Sequence, residues 1–451
     1  VWCDLFWEHL KSVLRALQIF LRGVKIGLIS SPLILSGSVL GVLHRMPFIP
    51  EEISVRLNDW WWTFLLKAIS QCGPTFIKAA QWISTRQDMF PEVVCSKLSA
   101  MHTSTRKMPM CYGEEALEQA FGPSWREFMK LEEEALGSGC VASVYKGHMS
   151  TGESAGQEIA VKVLHPDIRK TVQLDLALLR KVAEVAEKLP FLQLHWLSLS
   201  EFVGEFSSLM EMQMDLRLEA INLERFISDF KDDPKLSFPR PIRPWVSEGV
   251  LVEEFLRGSP ISNFFPSAKL ARMGLQAFLN MVFLKNFVHG DLHPGNLMVG
   301  KGADGEGDCL IFLDAGIVCE LDQHDRENFL DLFHAVVVGN GTLAGSLMIE
   351  RARDGRCTDP EGFCEGVNEL VQNARSSGLR LREIQAGELL ERMFRLCMKH
   401  EVKLESKFAR LLIAITILEG VGRSLDPNCN ILNAALPVVL KAAQRKTERV
   451  I

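Results

Sequence analysis

Four short segments, strung in fixed order between Gly137 and Gly316, restrict this chain more than any other feature of its sequence. The first, Gly137-Ser138-Gly139-Cys140-Val141-Ala142-Ser143-Val144, reads as a glycine turn between two strands. Without a Cβ in the way, backbone N–H groups in such a turn can approach phosphate oxygens. On its own it reads equally well as an ordinary hairpin. The second, Ile159-Ala160-Val161-Lys162, sets one lysine in an apolar strand. An unpaired ammonium is costly to bury, so Lys162 calls for nucleotide phosphates and a carboxylate on the next helix, unless it sits on an edge strand facing water. The third runs from His289 to Asn296 and reads HGDLHPGN. Here Asp291 can orient a phosphoryl acceptor and take its proton, and Asn296 can ligate Mg²⁺. The fourth, Leu313-Asp314-Ala315-Gly316, follows the apolar strand Leu310-Ile311-Phe312. An Asp at a strand end can hold the metal that bridges the phosphates.

Together the four have the order and spacing of the kinase set. The expected fold class is α+β, a protein-kinase-like two-lobed fold with a helical N-terminal extension. Residues 1–66 are expected to be helical, with a candidate membrane segment at 26–43. Residues 67–130 form a further helical extension, 131–257 an N-lobe with inserted helices, and 258–446 a helical C-lobe with the catalytic and metal loops. Pro74 is placed to open a helix, and Pro91 to end it or start the next. Long helices are expected near 167–189 and 198–230, the second opened by a Ser198/Glu201 capping box. Val250–Phe255 reads as a strand ended by Gly258, and its Glu253 is assigned to the nucleotide site.

Composition removes other classes. At 47% hydrophobic and 24% charged, the chain is too apolar for a disordered one. A net charge of −6 weighs against a nucleic-acid partner. Eleven cysteines without a CxxC pair indicate neither a zinc ribbon nor a thioredoxin-type couple, and suit a reducing compartment. The first residue is Val1, as in a processed form or a fragment. Residues 26–43 carry no charge. As a helix they rise about 27 Å, close to the ~30 Å of a hydrocarbon core. A buried helix pair broken at Ser31-Pro32 is the other reading. Trp60, Trp61 and Trp62 beside Asp59 suit a membrane interface or packing under a neighbouring helix.

HGDLHPGN followed by Leu313-Asp314-Ala315-Gly316 resembles the aarF-domain-containing (UbiB-type) atypical kinases. Lys78-Ala79-Ala80-Gln81 is similar to that family's Lys-x-Gly-Gln motif. Gln213-Met214-Asp215, followed by Glu219, Ala220 and Asn222, resembles its Glu-x-Asp helix, and Leu418-Glu419-Gly420 through Leu425-Asp426-Pro427 its C-terminal segment. The phrases SGCVASVYKG and AVKVLHP look closest to an animal branch of the family. The resemblance implies ATP and Mg²⁺ as cofactors. The Gly137–Val144 loop, Lys162 and Glu253 would lie on the nucleotide, Asn296 and Asp314 on the metal, with Asp291 and Lys162 catalytic. It implies a mitochondrial, membrane-associated protein, at the inner membrane, linked to coenzyme Q and lipid metabolism. The implied partners are ATP, a lipid or membrane surface, and coenzyme Q biosynthesis proteins. Lys78, Gln81, Gln213 and Asp215 would form a regulatory group, and the helix of Lys78 and Gln81 would cover the site.

Three departures matter. Gly137 and Gly139 stand where the family has an Ala-rich loop. Ala80 replaces Gly, where one methyl counts if helices touch. Gln213 replaces Glu, so an ion pair with Lys78 becomes at most a weaker neutral hydrogen bond. For Lys162 the carboxylate candidates are Glu205, preferred, and Glu211, which at i,i+4 from Asp215 also suits a charged surface. His289 and His293 lie in a loop without thiols that suits Mg²⁺, so His289 is read as a structural hydrogen-bonding residue. After Gly316 there is no long activation segment and no Ala-Pro-Glu anchor. That favours a small-molecule or lipid acceptor, or ATP hydrolysis coupled to another event. A phosphotransferase of the choline or aminoglycoside kinase type stays open. So does a nucleotide-gated, non-enzymatic scaffold for a membrane-bound complex.

Overall fold

The computed structural model describes residues 2–43, 50–84, 86, 90–103, 109–152, 155–188, 199–290, 292, 294–302, 307–350, 352, 357–376, 386–402, 425, 426 and 438. Six helices come first: α1 (Trp2–Leu43), α2 (Glu51–Cys72), α3 (Pro74–Ser84), α4 (Glu92–Leu98), α5 (Met110–Phe121) and α6 (Trp125–Phe128). The smaller lobe follows as β1 (Met129–Ser138), β2 (Ala142–Met149) and β3 (Glu158–Leu164), then α7 (Ile168–Glu187), α8 (Leu199–Gln213) and α9 (Leu216–Asp229). Next come β4 (Leu236–Ser237), β5 (Pro241–Val246), β6 (Val250–Glu254) and β7 (Gly258–Pro260). The larger lobe adds α10 (Ala268–Leu279), β8 (Val288–His289), β9 (Leu297–Lys301), β10 (Asp308–Phe312) and β11 (Val318–Cys319). It continues through α11 (Gln323–Val338), α12 (Gly341–Glu350), α13 (Pro360–Ser376) and α14 (Ala386–Lys399).

Two larger sheets make the lobes, and β8 pairs with β11 in a third, two-stranded one. The first has the order β1-β2-β3-β6-β5, and the second β4-β10-β9-β7, so residues 255–257 between β6 and β7 carry the chain from one sheet to the other. Alternation along β3 sorts the first sheet into two faces. Ile159, Val161 and Val163 pack with Leu117, Trp125, Tyr145, Val250 and Val252 in one core. Leu164 and Leu251 on the other face join the main core, which continues through α7–α9 and the larger lobe.

α1 runs unbroken through Pro32, so the helix pair broken at Ser31-Pro32 is not formed. Proline lacks the N–H that would bond the Leu28 carbonyl, and the Ser31 hydroxyl donates to that carbonyl at 3.1 Å instead. The stretch His9–Gly37 is long and apolar enough to cross a membrane, with a mean hydropathy of 1.5 and only 11% of its most apolar window buried. α1 also pairs with the kinase-like part. Arg22 donates to Asp175 on α7 at 2.6 and 2.9 Å and to the Cys72 carbonyl at 2.6 Å. Of the three indoles, Trp61 donates to the Leu33 carbonyl on α1 at 3.3 Å, whereas Trp60 is exposed and stacks on Phe64.

The helix expected over 198–230 is two helices. Asp215 accepts the Arg217 N–H at 3.0 Å and caps α9, which turns the chain after Gln213. Ser198 of the expected capping box lies outside the described residues. Pro74 opens α3, and Pro91 sits at the cap of α4, both as the sequence indicates.

Candidate functional site

Register places the first site residues. Lys162 on β3 pairs with Leu251 on β6, and Ala160 pairs with Glu253, so Ala160, Lys162 and Glu253 share one face of the sheet. That face meets α9 and the turn after β10. The Lys162 ammonium donates to both Glu219 oxygens at 2.8 Å and lies 3.1 Å from Asp314 Oδ1. Glu219 is 5% exposed along its side chain and Lys162 13%, whereas the Asp314 side chain keeps 45% of its surface open. The lysine is therefore held from within by one carboxylate and meets a second at the surface of the junction.

Burial opposes every charge in this cluster, and the charges oppose it in turn. The Asp314, Glu219 and Glu253 carboxylates more than offset the desolvation of Lys162, so its pKa rises and it stays protonated. Asp314, with 45% of its side chain open, is only partly desolvated, and Lys162, then Lys78, a Lys162 hydrogen bond and the Gly316 N–H outweigh that and hold its carboxyl well below the usual range. Burial pushes Glu219 up to about 7 despite its lysine. Glu253, pushed by burial and then by the Glu219 charge, reaches about 8, and its Oε2 has no hydrogen-bond partner among the described residues. Glu253 is thus the carboxyl that holds a proton at neutral pH.

That shift has a measurable sign. A folded pKa of about 8 against an ordinary 4.5 means that the native state binds the proton more tightly. The associated stability is complete below pH 4.5 and drains away as pH rises through about 8. Glu253→Gln removes this drain, so in metal-free buffer its urea midpoint gains on wild type between pH 5 and pH 8.5. A difference that does not change with pH would contradict the assignment.

Loops of the larger lobe are tied to one another beside this cluster. His289 is fully buried, and its Nε2 lies 3.0 Å from the Leu313 carbonyl, between the rings of Phe226 and Phe312. It is a structural residue, as read from the sequence. The Leu313 N–H donates to the Asn296 carbonyl at 2.9 Å, which fixes the Asn296 segment against the Asp314 segment. Gly290 donates to the Ile317 carbonyl at 2.9 Å, and a Cβ there would come within 2.8 Å of the Ile317 side chain. Asn296 ends a short 3₁₀ turn and is 9% exposed. Asp314 has a φ of 51°, in the left-handed region, with Oδ1 accepting the Gly316 N–H at 3.2 Å. Asp291 and His293 lie outside the described residues.

The Gly137–Val144 segment joins β1 to β2 as expected. The Gly139 N–H donates to the Ala142 carbonyl at 2.8 Å, and Val144 pairs with Lys162 across the ladder, so the loop leaves the sheet next to the lysine. Lys78 on α3 acts through space on Asp314, which brings α3 to the same junction. Gln81, three residues on, turns elsewhere and donates to the Met101 carbonyl at 3.0 Å. α3 is anchored by Trp82, whose ring centroid is 4.4 Å from that of Phe202 on α8. Ala80 is 3% exposed and packs with Leu98 and Met101. Gln213 closes α8, and Asp215, held below its usual pKa mainly by the Arg217 hydrogen bond, acts as the cap of α9.

The partner of Lys162 is Glu219, and not Glu205 or Glu211. Glu205 accepts from Arg86 at 3.2 Å, and Glu211 from Arg180 at 3.3 Å. Both are on α8, whereas the break at Asp215 hands the lysine to α9. Helical spacing within α9 was the available signal. Glu219 and Asn222, three apart, share a face with buried Leu216, Ala220 and Leu223. Asn222 donates to the Ala315 carbonyl at 2.9 Å. One helix face therefore sets both the lysine and the Asp314 turn. The Lys162 ammonium can donate to phosphate oxygens, while the Asp314 carboxylate and the amide oxygen of Asn296, whose backbone carbonyl meets Leu313 N–H, are hard oxygen donors of the kind Mg²⁺ takes.

Known proteins resemble the chain over this whole region. Residues 100–345 match the model of the ABC1 atypical kinase-like domain, and residues 374–430 that of the UbiB helical domain. A protein of Dictyostelium discoideum named as a probable serine/threonine-protein kinase, abkC, is 32% identical, with 95% of this chain and 70% of that protein aligned. A mitochondrial ABC1 family protein of Saccharomyces cerevisiae is 30% identical, over 96% of this chain and 76% of the relative. A protein of Histophilus somni named as a probable protein kinase UbiB is 27% identical, over 82% of this chain and 69% of the relative.

Proposed function

The chain belongs to the ABC1/UbiB atypical kinase family, and on that footing we propose that it is a Mg·ATP-dependent ATPase or kinase acting on a small molecule or lipid. The observation that carries the reading is Lys162, held at 2.8 Å by Glu219 and meeting Asp314 at 3.1 Å. In this reading Lys162 contacts the α- and β-phosphates, Asp314 and Asn296 hold Mg²⁺, and the Gly137–Val144 loop covers the nucleotide. Asp291 orients the acceptor and takes its proton. The bound metal would neutralise charge developing on the phosphates. The short run from Gly316 to the cap of α11 at Asp322 leaves little chain for a peptide platform, which favours a small or lipidic acceptor.

The same reading sets the protein in mitochondria, at the inner membrane and linked to coenzyme Q and lipid metabolism, and it is supported by the mitochondrial relative and the apolar α1. The test is ATP turnover by the purified chain, with and without lipid vesicles, beside Asp291→Asn. Turnover is expected in wild type, higher on vesicles, and lower by about 10²–10⁴-fold in the variant, the usual contribution of a positioned acid–base group. Full turnover in Asp291→Asn, or none in wild type under either condition, rejects the enzymatic reading.

A further inference from the structure

The face of β2 that looks away from Lys162 carries a hydrogen-bond chain that the proposed chemistry leaves without a role. Val144 pairs with Lys162, so Ser143 next to it points to the opposite side, where it is 1% exposed. Ser143 Oγ lies 3.1 Å from Ser138 Oγ and 3.0 Å from His165 Nε2, and it also bonds the Tyr145 phenol. His165 directly follows β3. Its backbone N–H donates to the Val141 carbonyl at 2.8 Å, and its ring bonds the Cys140 carbonyl. Burial lowers the imidazole pKa, so the ring is neutral at pH 7. One ring nitrogen then donates to Cys140 while Nε2 accepts the Ser143 proton. Ser143 also faces the Ser138 and Tyr145 hydroxyls, and Ser138 bonds the Gly139 carbonyl at 3.4 Å as well, so the group is linked on both sides.

His165 fixes two peptide planes, one through its ring and one through its backbone N–H. A trans peptide points its C=O and N–H to opposite sides. The Cys140 and Val141 carbonyls are both turned to His165, so the N–H groups of Val141 and Ala142 point away from it. Successive N–H groups aimed to one side form a concavity that binds anions.

We propose that His165 is a positioning residue for nucleotide phosphates. Its ring, braced by Ser143, holds the Cys140–Val141 peptide from behind, and its backbone N–H holds the Val141–Ala142 peptide, so that their N–H groups present to the phosphates. This rests on the nucleotide reading above and adds a residue to it that lies outside the four motif segments.

The experiment measures binding of Mg·ATP and of adenosine to wild type, His165→Ala, His165→Asn and Ser143→Ala, with hydrogen exchange of the loop amides in the ligand-free chain. In His165→Ala, Mg·ATP affinity falls about tenfold while adenosine affinity stays within about twofold, because only phosphates meet the loop amides. His165→Asn, whose amide can donate to the Cys140 carbonyl, recovers most of the loss. Ser143→Ala shows the same selective effect more weakly, and keeps the question open to test if His165→Ala does not fold. Exchange at residues 139–142 quickens in His165→Ala. Equal losses for both ligands, no loss, or Asn no better than Ala overturns the proposal. A wild-type chain that binds neither ligand rejects the nucleotide reading instead. Unchanged loop exchange in His165→Ala then rejects the bracing by itself.

Discussion

Thermal stabilisation of the purified chain by Mg·ATP is the expected result, and Asp314→Asn is expected to abolish it. A ligand at 100 times its dissociation constant stabilises the native state by about 2.7 kcal/mol, so the lost signal is large. The substitution suits the question because it removes charge and little else. The Asp314 side chain is 45% exposed, and an Asn oxygen can still accept the Gly316 N–H. Lys162 keeps its two 2.8 Å contacts with Glu219. The ligand-free melting temperature therefore stays close to wild type while the response to Mg·ATP disappears. A wild-type-sized shift in Asp314→Asn would remove this carboxylate from the metal site, and with it the arrangement proposed for the nucleotide.

Lys162→Met lowers turnover by about 10²–10³-fold, the loss typical when one preorganised charge aimed at a developing anion is removed. Lys162 is the ammonium that Glu219, Asp314 and Glu253 share. Its removal leaves carboxyls already biased towards protonation, at about 7 for Glu219 and about 8 for Glu253. They relieve part of the imbalance by taking protons, so the damage appears more in turnover than in unfolding at pH 6. Glu219→Gln retains a hydrogen-bond acceptor for the lysine and costs less than Lys162→Met. Glu205→Gln and Glu211→Gln change turnover by less than about twofold, because from α8 they bond Arg86 and Arg180 and not Lys162; Glu205→Gln instead costs stability, since the Arg86 side chain is only 3% exposed. A Glu205 variant as damaging as Glu219→Gln would restore the pairing that the sequence suggested.

Residues legible in the sequence share one property: local chain geometry fixes their meaning. Lys162 stands out as one charge in an apolar strand, and its side of the sheet follows from a period of two. His289 follows from its place in a loop without thiols, and the turn at Gly139 from its glycines. Glu219 was not legible as the lysine partner because a single unbroken helix over 198–230 favours Glu205. The capping bond of Asp215 is local, but its consequence, a new helix axis for α9, is not. At α1 one side chain decided between the two readings of residues 26–43. Pro32 reads as a break, yet the Ser31 hydroxyl takes the carbonyl that the proline leaves without a donor.

Lys78 and Gln81 show the limit most plainly. Three residues apart on one helix, they read as a pair, and yet Lys78 acts on Asp314 while Gln81 bonds Met101. The sequence by itself determined the class of this chain: an α+β, kinase-like arrangement whose four motif segments keep their order. Only the tertiary structure decided which carboxylate receives the lysine, which helix covers the junction, and that His165 reaches back to hold the glycine loop. Those are long-range pairings. They depend on helix axes and strand register set by burial across the whole core, and no local period in the sequence records them.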